Sequence, residues 1–90
     1  MKVTWDPEKA MRNLAKHKVS FSDAESVLFD PLALTVNEEI VNDERRYATI
    51  GMDGFMRILV VVYVYRGDDV RMISARRATN LERKNYEEGI

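Results

Sequence analysis

The sequence predicts an α+β fold from three observations. Apolar residues sit at helical spacing behind a capping signal near the start, the period drops to two residues from Leu32 onward, and a capping box at Thr79 opens a last helix. Ninety residues make one domain, expected to span 1–90 and to bury about 60 to 65% of its unfolded surface.

In chain order, Val3 to Trp5 alternates weakly and reads as a short strand. Asp6-Pro7 supplies an N-cap followed by proline at the first helical position. Ala10, Met11, Leu14 and Ala15 then mark an apolar face up to about His17. At about 100° per residue, Lys9, Arg12, Asn13 and Lys16 gather on the opposite face as a basic stripe. A second helix opens near Ser20 to Ser22, where Ser20-x-x-Asp23 and Ser22-x-x-Glu25 both resemble capping boxes. Val27, Leu28 and Phe29 form its expected buried side before Asp30-Pro31 ends it.

Strands follow at Leu32 to Val36, Arg46 to Met52, Phe55 to Tyr65 and Val70 to Ala75, each rich in β-branched or aromatic residues. Asp53-Gly54 is the favoured pair for a two-residue hairpin turn, and Arg66-Gly67-Asp68-Asp69 is a second polar break. The last three strands are therefore expected to form an antiparallel meander within a sheet of about four strands. Near-continuous apolarity from Ile58 to Val64 marks the sheet centre. Thr79-x-x-Glu82 caps a final helix of two or three turns, which needs to pack on the sheet to be stable.

Composition narrows the function. There is no cysteine and only one histidine, His17, so disulfides and thiolate metal sites are excluded and neither a metal nor another cofactor is expected. The start of the chain has no apolar signal segment. The longest apolar run, Ile58 to Tyr65, is far shorter than the roughly 20 residues a membrane helix needs, so a cytoplasmic protein without a membrane partner is expected. Net charge is −1, but it is unevenly spread: residues 1–21 hold five bases against two acids, 22–44 hold seven acids and no base, and 45–90 hold nine bases against six acids. If the two basic ends meet, they form a patch able to hold a phosphate backbone; otherwise they are solvated surface.

The segment Val70 to Tyr86 is the richest in chemistry. It runs from a strand into a helix start and places Arg76 and Arg77 at the junction, with Glu82 and Tyr86 one helical turn apart on one face. Two guanidinium groups beside a carboxylate and a phenol suit a phosphodiester.

Several segments resemble the BrnT family of bacterial toxins, in order and in spacing, over nearly the whole chain. They are Trp5-Asp6 with Asn13; Lys16-His17-Lys18-Val19-Ser20-Phe21 with Ala24 and Asp30; Glu44-Arg45-Arg46 with Ile50-Gly51; and Arg71-Met72-Ile73-Ser74-Ala75-Arg76 with Ala78, Glu82 and Tyr86. Lys18 departs from the pattern, standing where the family usually has glycine. The resemblance implies a RelE-like fold and a ribonuclease toxin of a type II toxin–antitoxin system. It also implies a BrnA-like antitoxin that neutralises the toxin and reaches operator DNA only as part of the complex.

For such an enzyme the expected chemistry is metal-independent attack of the ribose 2′-hydroxyl on its own phosphodiester. Arg76 is the first candidate to stabilise the extra phosphate charge; its bland alternative is an ion pair with Glu44 or Glu82. Adjacent strand residues point to opposite faces, so only one of Arg45 and Arg46 serves the catalytic site; Arg45 is preferred, with Arg46 as an RNA contact. Arg77 is expected to face away from Arg76 for the same reason. His17 either moves a proton or caps the carbonyls that end its helix, and Lys16, Lys9 and Arg12 hold RNA. Glu82 either completes the capping box or, as a function, orients an arginine or accepts a proton, while Glu44 is a supporting residue and the plain structural role of Arg45 is an ion pair with Glu44 or a neighbouring strand. Tyr86 either stacks on a base, donates its hydroxyl or fastens the last helix to the sheet, burial is expected for Trp5, and Ser74 reads as structural. A competing reading is a non-catalytic module that binds the antitoxin and acts as co-repressor. The catalytic reading requires Lys16, His17 and Arg45 to converge on Arg76.

Overall fold

The sheet is built around its most apolar strand. A computed structural model describes residues 1–89. In it the elements run β1 (Val3–Trp5), α1 (Pro7–His17), α2 (Phe21–Ala24), a 3₁₀ turn (Glu25–Phe29), β2 (Leu34–Val41), β3 (Glu44–Met52), β4 (Ile58–Arg66), β5 (Asp69–Arg77) and α3 (Asn80–Glu88). The strands lie in the order β1-β5-β4-β3-β2, which puts β4 at the centre, covered on both faces as its continuous apolar run requires. The α+β class therefore stands, with two corrections. There are five strands, and the sheet is mixed: β1 pairs parallel with β5 while the other four strands form an antiparallel meander.

The turns account for the shifted boundaries. Asn42 and Asp43 both take left-handed backbone (φ 51° and 63°), making a two-residue turn that lengthens β2 to Val41 and starts β3 at Glu44. Gly67 (φ 63°) and Asp68 make a second two-residue turn between β4 and β5, left-handed only at the glycine. The expected two-residue turn at Asp53-Gly54 does not form. The buried Asp53 carboxylate organises a wider loop, accepting from Phe55 N (3.0 Å), Arg57 N (2.9 Å) and Arg57 Nε (2.8 Å), and Met56, not Gly54, takes the left-handed position (φ 64°).

One face of the sheet packs on α1, α2 and the 3₁₀ turn. Its core joins Val19, Phe21, Ala24 and Val27 to Leu59, Val61, Tyr63, Val70, Met72 and Ala75, with Trp5 partly buried edge-on against Phe21. The other face carries a smaller cluster of Ile50, Ile58 and Val60, against which Ala78 and Tyr86 pack from the segment ending in α3. Two burial expectations are overturned. Phe29 is exposed because the chain tightens into a 3₁₀ turn that buries only Val27 fully. In α1, Met11 and Leu14 are 72% and 49% exposed, and the buried residue is Asn13. No helix among the described residues is long and apolar enough to cross a membrane.

Candidate nucleic-acid site

Asn13 explains the orientation of α1. β1 pairs with β5 only from Val70 to Met72, which leaves the backbone of Ala75 without a strand neighbour on that edge. The Asn13 amide takes the place of one: Ala75 N donates to Oδ1 (3.0 Å), and Nδ2 donates to Ala75 O (2.8 Å) and to Val19 O (2.9 Å). Buried backbone groups need partners, and this requirement outweighs burial of Met11 and Leu14. Asp6 caps the helix start by accepting from Glu8 N (2.9 Å). Lys18 ends the helix in left-handed backbone (φ 59°), its N–H donating to Leu14 O.

With Asn13 turned to the sheet edge, the basic stripe turns with it. Lys9, Arg12, Lys16 and His17 line a cleft of about 300 Å³ whose floor is Ile73 and Ser74 of β5. Ile73 is the extra residue of a bulge, since Tyr63 pairs with Met72 but Val62 with Ser74. Ser74 and Arg76 pair with Val62 and Val60, so they share the face that α3 covers.

The Arg76 guanidinium is held by Glu82 in a two-pronged pair, NH1 to Oε1 at 2.7 Å and NH2 to Oε2 at 2.9 Å, while NH1 also donates to Arg77 O (3.2 Å). Among the described residues, three of its five donors are thereby used. Nε–H and the second NH2 hydrogen remain as a parallel pair along the other edge of the fork. Glu82 completes the capping box as well, accepting from Thr79 N (2.8 Å). Glu82 thus caps the helix and holds the arginine at once. The bond from Arg76, outweighing burial, pulls the Glu82 carboxyl down to about 2, and the same bond raises the pKa of Arg76.

Tyr86 fastens α3. Its hydroxyl donates to Asp30 Oδ2 (2.5 Å), which also accepts from Met52 N (2.8 Å), while Oδ1 accepts from Leu32 N (2.9 Å). The bond to Asp30, helped by burial, pushes the phenol up to about 12. Burial works against the Asp30 charge, yet the three hydrogen bonds outweigh it and keep that pKa below the ordinary value.

Arg45 does not join the other candidates. It lies opposite Ile40 near the β2–β3 turn, on the face away from Arg76, and ion-pairs with Glu38 rather than Glu44. Counting two strand spacings and five residues along β3 puts it roughly 20 Å from Arg76. Glu44 pairs with Arg66 (2.9 Å). Arg46 takes the α3 face opposite Val64 and Glu39, and its buried Nε has no partner among the described residues. Of the expected convergence, Lys16 and His17 come to the strand that carries Arg76, and Arg45 does not. The anchoring roles of Asn13 and Asp30 were missed at sequence level, although both residues stand in the motif pattern.

Comparisons agree with this architecture. The family model for the ribonuclease toxin BrnT of type II toxin–antitoxin systems matches residues 5–82. The 1.1 Å crystal structure of the Brucella abortus ribonuclease toxin BrnT superposes with a TM-score of 0.65 at 28% identity, covering 89% of this chain and 99% of that one. No curated protein matches the chain. A match over residues 5–82 takes in both the α1 cleft and the Arg76–Glu82 pair, and the chain belongs to the BrnT family of ribonuclease toxins, the toxin component of type II toxin–antitoxin systems.

Proposed function

We propose that the chain is an endoribonuclease that cuts RNA by attack of a ribose 2′-hydroxyl on the adjoining phosphorus, without a metal. The 2′-oxygen bonds to phosphorus, the bond to the 5′-oxygen breaks, and the products are a 2′,3′-cyclic phosphate and a free 5′-hydroxyl. A proton leaves the 2′-oxygen and another reaches the 5′-oxygen.

The observation that carries this reading is the lining of one cleft by Lys9, Arg12, Lys16 and His17 on the same strand that presents Arg76. Three cations along a groove match a phosphate backbone, and the free edge of the Arg76 fork matches two phosphoryl oxygens. Glu82 acts as a positioning residue, fixing the fork so that no reorientation is needed as charge develops. With the Tyr86 hydroxyl committed to Asp30, His17 is the group assigned to proton transfer. Arg45 has no part in this reading, and Arg46 on the α3 face is an outlying RNA contact. Family membership supports a BrnA-like antitoxin as the partner, with operator DNA engaged only through the complex.

The test is incubation of purified protein with RNA in EDTA beside an Arg76→Ala sample. Cleavage by the wild type that the variant loses is expected; equal degradation by both, or none by either, counts against the reading.

A further inference from the structure

A second polar cleft lies at the far end of β5. Arg77 pairs with Leu59 and so faces the α1 and α2 side, opposite to Arg76, where it borders the β3–β4 loop. Asp23, Phe55, Arg57 and Arg77 line a cleft of about 440 Å³, within the range of small-ligand sites. We propose that this cleft binds a guanine base of the RNA next to the segment held by Arg76, an inference that rests on the ribonuclease reading.

Each lining residue contributes a distinct part of base recognition. Phe55 is 67% exposed and presents its ring to the cleft. The Arg57 guanidinium sits 5.5 Å from its centroid and covers one side, leaving the other for a stacked base. The backbone that carries the ring is held: Asp53 accepts from Phe55 N and Arg57 N, and Met56 N donates to Asp53 O (3.1 Å) with Met56 in left-handed backbone. Little backbone ordering is left for binding to supply.

The polar groups select the base. Arg57 is neutralised by Asp53 (2.7 Å) and lies 3.5 Å from the Asp23 carboxylate, whose side chain is 41% exposed. A carboxylate only accepts, and guanine alone among the four RNA bases offers two adjacent donors, N1–H and N2–H, on its Watson–Crick edge. Adenine and cytosine turn a ring acceptor toward Asp23, and uracil turns two carbonyls with a single N–H. Arg77 makes no salt bridge among the described residues, so its fork is free for O6 and N7 of the same base or for the adjoining phosphate.

The test is fluorescence anisotropy with labelled 2′-O-methyl pentanucleotides UUGUU, UUIUU and UUAUU, which cannot be cut by 2′-attack. The wild type is expected to bind UUGUU about tenfold more tightly than UUAUU, with the inosine oligomer, which lacks the N2 donors, in between. Phe55→Ala weakens all three by about tenfold through lost stacking, and Asp23→Asn removes the preference for guanine. Equal affinities in the wild type, or a preference that survives Asp23→Asn, overturn the proposal. So does a Phe55→Ala variant that binds all three oligomers as tightly as the wild type. Cleavage of all-ribose UUGUU, measured in parallel, reports on the ribonuclease reading separately: cutting without base-selective binding sinks only the subsite, and base-selective binding without cutting sinks only the nuclease.

Discussion

Helix α1 is tied to the sheet by one buried amide within an apolar core, whereas α3 has no fully buried residue and is tied by an ion pair and a phenol–carboxylate hydrogen bond. Both helices border residues assigned to RNA, but they fail differently. Loss of the Asn13 contacts leaves three backbone groups unpaired at a core edge and weakens the whole domain. Loss of the α3 contacts frees a surface helix and, with it, the aim of Arg76. The cleft floor is therefore the firm part of the candidate site, and the Arg76 fork the part that conditions can loosen.

The largest effect is expected from Asn13→Leu, which fits the apolar surroundings but leaves Ala75 N, Ala75 O and Val19 O without partners. A loss of about 3 kcal/mol or more follows from buried unsatisfied groups, lowering Tm by about 15 °C in a domain of this size. Denaturant and thermal unfolding measure it. A loss under about 1 kcal/mol would break the contrast between the two helices.

The α3 side answers to pH. The Tyr86 hydroxyl is held at about 12, above its ordinary 10, so its contribution is full below pH 10 and fades as pH rises toward 12. The Glu82 carboxyl is held at about 2, below its ordinary 4.5, so its contribution is full above pH 4.5 and fades as pH falls toward 2. Tyr86→Phe is expected to cost about 1 to 2 kcal/mol at neutral pH and to flatten the alkaline limb, and Glu82→Gln to flatten the acid limb. Stability measured from pH 2 to 12 checks this; limbs unchanged in the variants would mean that other groups control both ends.

The sequence shows these two attachments unequally. The capping box at Thr79 and the i, i+4 spacing of Glu82 and Tyr86 are local patterns, so the last helix was legible. Asn13 was not, because the spacing rule weighs apolarity and puts Met11 and Leu14 inside. Only the three-dimensional fact that β1 stops at Trp5, opposite Met72, creates the need for an amide at Ala75. The parallel pairing of β1 and the Asp53 loop were hidden for the same reason, as both depend on partners distant in sequence or on side-chain burial. In the site, Lys9, Arg12 and Lys16 were legible as a stripe, and their strand neighbour was not. Arg45 was placed by motif alone, and register puts it on the wrong face to meet Arg76.

The smallest effect concerns the end of α1. Lys18 holds a left-handed backbone that favours glycine, so Lys18→Gly is expected to stabilise by about 0.5 to 1 kcal/mol, with a Tm rise of a few degrees. A fall in Tm would show that the Lys18 side chain makes a stabilising contact there.

The central claim is that Arg76 grips Glu82 with one edge and phosphate with the other, and single-turnover cleavage of RNA in EDTA by the wild type and Arg76→Lys tests it most directly. Lysine keeps the charge but cannot make both two-pronged contacts. The rate is expected to fall by about a hundredfold or more while RNA affinity changes by less than about tenfold. A lysine variant that cuts as fast as the wild type would contradict the claim.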